Sequence, residues 1–160
     1  MTASLAMVGV TITLFILWFR YTCSLILNTK PAKDYSRQVA TVNELKFLQI
    51  QQRLARVEQR ADLDAMLGHL DRDYRLLTYI VRHGAQFRIG GRSLERRILM
   101  LDYEAMRLWY ALSRWSSSGN SRRALMEMIS IIGHFANFMG ERALCRAEQV
   151  SARAFSPASR

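Results

Sequence analysis

The chain is poor in cysteine, proline, histidine and lysine, and each shortage excludes something. Two cysteines, Cys23 and Cys145, cannot build a disulfide framework, and without a CxxC spacing neither a structural zinc site nor a thioredoxin-like motif can be written. Three histidines, His69, His83 and His134, leave any metal site to be assembled largely from carboxylates, and none stands in an HExxH or paired ExxH frame. No Ser/His/Asp or Cys/His arrangement, Walker loop or glycine-rich dinucleotide loop occurs, so no enzyme activity and no cofactor are expected. Intrinsic disorder is excluded for most of the length: half of the 160 residues are apolar, only two are proline, and such a chain buries enough surface to offset its ordering entropy.

Charge is missing altogether from Met1 to Phe19. A helix of about 19 residues, at about 1.5 Å each, approaches the roughly 30 Å hydrocarbon core of a bilayer, so residues 1–28 are expected to form a transmembrane anchor. Trp18, Phe19 and Tyr21 surround Arg20, the pattern of a helix leaving hydrocarbon for the headgroup layer with the guanidinium snorkelling outward. A cleaved signal peptide fits less well, because no basic residue precedes the apolar core, and a buried core helix would be apolar on every face. Arg20, Lys30, Lys33 and Arg37 all follow the span, so the positive-inside rule sets the N-terminus outside and the remainder in the cytoplasm.

What is abundant is arginine: of 23 basic residues only Lys30, Lys33 and Lys46 are lysine, and the formal net charge is +10. The excess is greatest just after the apolar run. Residues 29–42 are therefore read as a basic juxtamembrane linker with a short helix from about Asp34 to Val42, close to an anionic leaflet.

Beyond Pro31 apolar residues recur at steps of three and four, with no sustained alternation of period two. The expected fold is all-α: one transmembrane helix followed by an antiparallel bundle of about four helices over residues 43–147, with a disordered tail at 148–160. Asn43 is expected to cap a helix carrying Phe47, Ile50, Leu54 and Val57 on one face and Lys46, Arg53, Arg56 and Arg60 on a basic stripe. The phase slips near Ala61, and a second stripe follows: Leu63, Leu67, Leu70, Tyr74, Leu77 and Val81. The clearest pattern is Leu94, Ile98, Leu101, Ala105, Leu108, Leu112 and Trp115, a seam that wants a partner helix. Ser121 is expected to cap a last helix ending near Ala147, whose inner face is Leu125, Met128, Ile132, Phe135, Met139 and Ala143.

Three constellations carry candidate chemistry. Glu127, Ser130, His134, Asn137 and Glu141 share a face, but each glutamate lies about 10.5 Å along the axis from His134, too far to share one ion, so the stripe is expected to be solvated. Arg88, Arg92, Arg96 and Arg97, with His83, crowd the turn at Gly90 and Gly91, where arginines commonly pair with nearby carboxylates; an anion or lipid headgroup is the sharper reading. Gly133, Ala136 and Gly140 allow close helix approach, through internal packing first and self-association second. Trp109, Trp115 and the methionines are read as core filling.

The composite expectation is a membrane-tethered helical interaction module, a scaffold or accessory subunit with a protein partner or a second copy at the cytoplasmic leaflet. A binder of acidic polymers, nucleic acid in particular, or of anionic lipid is the alternative that +10 suggests.

Overall fold

The computed structural model describes residues 2–28, 34–54, 56, 60–83, 93–114 and 118–155, and among these described residues there are six helices. They are α1 (Thr2–Asn28), α2 (Ser36–Val42), α3 (Phe47–Leu54), α4 (Arg60–His83), α5 (Ser93–Ser113) and α6 (Ser118–Phe155), and no strand occurs among the described residues. Within α1 the stretch Ala6–Asn28 is long and apolar enough to cross a membrane. Residues 6–18 are exposed on every face, while Cys23 is fully buried and Ile26 and Leu27 pack against the core.

The helix expected to begin at Asn43 starts later, at Phe47, and ends at Leu54. Asn43 ends α2: both its backbone N–H and its side-chain amide donate to the Val39 carbonyl, at 3.0 and 2.9 Å. Glu44 follows with φ 52°, the left-handed conformation in which helices commonly terminate. A new helix, α3, then starts at Phe47, and its cap comes from another element. Asp73, in the middle of α4, accepts from the N–H groups of Lys46 (2.7 Å) and Phe47 (2.9 Å), satisfying two donors that a helix start leaves open. Burial pushes the Asp73 carboxyl above its ordinary range, and these two hydrogen bonds partly restore it.

Phe47, Ile50 and Leu54 of α3 are all buried, so this apolar face belongs to the core; Val57 lies outside the described residues. On α4 the expected stripe is found, with Leu63, Leu70, Tyr74, Leu77 and Val81 buried and Leu67 half-buried. Helix α6 packs against each of α1 to α5. It buries Leu125, Met128, Ile129, Ile131, Ile132, Phe135, Ala136 and Met139, one broad face that contains the expected stripe except for Ala143, which is exposed. Its start differs from expectation too. Ser121 lies inside the helix, buried, with its hydroxyl 3.2 Å from that of Ser113 on α5. At the other end the helix passes Ala147 and runs on to Phe155.

Side chains tie early residues of α4 to late residues of α5. Tyr110 Oη donates to Asp64 (2.8 Å), Tyr103 Oη donates to Asp71 (3.0 Å), and the Tyr74 and Tyr103 rings stack with centroids 3.7 Å apart. Burial holds the Tyr103 and Tyr110 phenols above their ordinary range and pushes Tyr74 up to about 12, so all three remain protonated. Between α5 and α6 the order reverses again, from Ser113 with Ser121 to Glu95 with His134.

The buried face of α5 is therefore Leu99, Asp102, Tyr103, Met106, Tyr110 and Ser113. The leucine seam points elsewhere. Leu94, Leu101, Leu108 and Leu112 are 62–68 % exposed, Ala105 is exposed and Ile98 half-buried; Trp115 lies outside the described residues. Aromatic rings whose hydroxyls find carboxylates across the interface fill the core in place of aliphatic groups.

Candidate functional site

Where α1 meets the bundle, Arg20 lies between two carboxylates. Its guanidinium donates to Glu127 on α6 at 2.6 Å and to Asp102 on α5 at 3.3 Å. The guanidinium thus turns toward the protein, where snorkelling toward lipid headgroups had been expected, because two acids in a partly buried position offer it stronger partners than water. Asp102 has no exposed side-chain surface, and burial is the main reason its carboxyl lies above the ordinary range; the neighbouring Glu127 charge adds to this and Arg20 opposes it. One positive and two negative groups meet here, so the pairing fixes the position of α1 more than it stabilises the fold.

Beside this joint a groove of about 490 Å³ runs between α1 and the bundle, with Phe15, Ile16 and Phe19 on one wall and Ala105, Met106 and Trp109 on the other. Arg123 and the Arg20 cluster line it as well. Trp109, expected in the core, is half exposed at this groove. The apolar surface of α1 is thereby continuous with the exposed face of α5, which carries Leu101, Leu108 and Leu112 past Ala105 and Trp109. Contiguous exposed apolar faces are uncommon on folded soluble domains.

Among the described residues the basic side chains do not gather into one site. Lys46 and Arg53 border a second groove, about 460 Å³, together with Gln49, Ile50, Asp62 and His69. Arg56 is exposed beyond the end of α3, and Arg60 is the first residue of α4. Arg88 and Arg92, with Gly90 and Gly91, lie outside the described residues. Arg97 is exposed, whereas Arg96 lies over the Phe138 ring, 5.5 Å from its centroid, and Arg142 lies over the same ring at 5.3 Å.

The polar stripe of α6, expected to be solvated, is used in three helix contacts. Glu127 binds Arg20, His134 Nε2 lies 3.4 Å from Glu95, and Asn137, buried, accepts from the Tyr35 N–H at 2.6 Å. Ser130 remains exposed. Among the described residues no three His, Cys, Asp or Glu side chains come together in a way that suits a metal ion. The small residues of α6 receive neighbours of the same chain. A side chain at Gly140 would run into Tyr35 at the start of α2, Gly133 faces the Phe47 ring, and Ala136 is fully buried.

No protein-family model matches the chain, and no curated protein or solved structure matches it either.

Proposed function

We propose that this chain is a membrane-anchored helical interaction module, a scaffold or accessory subunit whose α1 spans the bilayer with its N-terminus outside. The remaining helices form an antiparallel bundle at the cytoplasmic leaflet, and α5 offers its apolar face to a helical partner. One observation carries the reading: Leu94, Leu101, Leu108 and Leu112 stay 62–68 % exposed although the same helix buries its opposite side in a closed core. Each of these leucines that stands in water gains up to roughly 1.5–3 kcal/mol when a partner buries it. The exposed surface of α1 and the charge asymmetry on either side of it support the anchor and its orientation.

The test is affinity purification of the tagged full chain, co-expressed with an untagged copy, from membranes in mild detergent, beside the variant Leu101→Asp with Leu108→Asp. A protein recovered in stoichiometric amount with the wild type, and lost with a folded double variant, is the expected result. Recovery of the same material by both would contradict the reading.

The groove bordered by Lys46, Arg53 and His69 favours a second reading, a binder of nucleic acid or anionic lipid. Nucleic-acid affinity falls steeply as salt rises, whereas an apolar helix contact does not. Equal loss of every bound component between about 50 and 200 mM salt would favour this alternative.

A further inference from the structure

We infer that the occupant of the α5 face is a second copy of this chain, the two α5 helices pairing side by side in parallel. The inference rests on the interaction-module reading and names the partner. The face is self-complementary. In heptad terms Leu94, Leu101 and Leu108 fall at d and Ile98, Ala105 and Leu112 at a, and leucine at d is the composition of parallel two-stranded pairs. Across a two-fold axis each of these residues meets its own equivalent, so all six layers match without an adjustment of register. None of the six is charged or polar, so closing the pair buries no unpaired group. Ala105, at the centre, lets the two backbones approach.

The direction follows from α1. Arg20 meets Asp102, while Phe15 and Ile16, one turn earlier, share a groove with Trp109, further along α5. Helices α1 and α5 therefore lie alongside one another with opposite chain directions. A two-fold axis along α5 keeps both α1 helices pointing the same way, as one bilayer requires of two identical anchors. An antiparallel pair would send one of them away from the membrane.

The size is adequate. Four leucines about two-thirds exposed and half of Trp109 offer on the order of 500 Å² per chain, hence about 1,000 Å² for the pair, the lower bound of a specific interface. Confining both copies to one membrane raises their effective concentration, which makes a face of this size sufficient.

The test uses the full chain in mild detergent with Cys145→Ser, which removes the exposed thiol. Under gentle oxidation Leu94→Cys, Leu101→Cys and Leu108→Cys should each give a disulfide-linked dimer at least tenfold faster than Tyr79→Cys, an equally exposed position on α4. Light scattering should give a protein mass twice 18.5 kDa. Leu101→Asp with Leu108→Asp should halve that mass while far-ultraviolet dichroism stays helical; should that variant unfold, the cysteine series still decides. A wild type of 18.5 kDa at every concentration, or cross-linking no faster at the three leucine positions than at Tyr79, overturns the inference. Cross-linking of Leu94→Cys only to Leu112→Cys overturns the parallel arrangement. A monomer that holds a different protein, and loses it in the double variant, overturns the dimer and leaves the interaction module standing. If the folded double variant changes neither mass nor bound partner, both readings fall.

Discussion

Gly140 and Gly68 are both helical glycines, yet they should respond to alanine with opposite signs. At Gly140 a methyl group meets Tyr35 Cβ, an atom fixed by the backbone, so α2 must move away from α6. Gly140→Ala should cost about 1–3 kcal/mol, the usual range for overpacking. Nothing lies within 4 Å of the corresponding position at Gly68, and Gly68→Ala should raise stability by about 0.5–1 kcal/mol through helix propensity alone. Urea denaturation of the detergent-solubilised chain measures both. Asp102 predicts a pH effect. Its folded-state carboxyl lies above the ordinary value because of burial, so the folded protein binds this proton more readily than the unfolded chain does. The stabilisation this provides is complete below about pH 4 and is lost as pH rises through the raised value. Asp102→Asn should therefore flatten the fall of stability with rising pH above about 4, while leaving Glu127 to hold Arg20 at 2.6 Å. A wild-type slope retained in the variant would assign that dependence elsewhere. The sequence singles out Arg20 as the first charge after the apolar run but not its partners, because Asp102 and Glu127 lie 82 and 107 residues away along the chain.

At the scale of elements, α3 and α4 were legible and α5 was not. Periodicity identifies an apolar stripe, and for α4 the stripe and the buried face coincide. For α5 two faces compete, and hydropathy chooses the wrong one: Tyr103, Tyr110, Asp102 and Ser113 count as polar although each is buried. Their burial depends on Asp64, Asp71 and Ser121 on other helices, a pairing that no local pattern encodes. The basic stripe of residues 46–60 was likewise read as one helix, whereas α3 ends at Leu54 and Arg60 opens α4; the start at Phe47 was missed because Glu44 gives no local sign of φ 52° and the α3 cap comes from Asp73. Helix α3 itself offers a clear test between core and membrane surface. Leu54 has no exposed surface, so Leu54→Asp should unfold the domain, with several kcal/mol lost to an unpaired buried charge. A fully folded variant, by dichroism and thermal unfolding, would contradict the packing of α3 described above.

On the scale of the whole molecule, one long helix contacts all the others while two apolar surfaces remain uncovered, that of α1 and that of α5. Composition announced the first, since Met1 to Phe19 has no charge; the second was read as a seam that wants a partner helix, and the helices of this chain leave it uncovered. The two apolar surfaces lie on one flank, joined at Phe15, Ala105 and Trp109. Whether this flank is covered in the membrane is measured directly by thiol accessibility. Leu101 and Tyr79 are 62 % and 63 % exposed in the isolated chain, so cysteines placed there, with Cys145→Ser, should react equally with a water-soluble maleimide if nothing covers α5. In opened native membranes the account predicts that Leu101→Cys reacts at least tenfold more slowly than Tyr79→Cys, and that the difference disappears when the chain is isolated as a folded monomer carrying Leu108→Asp. Equal rates in the native membrane would contradict it.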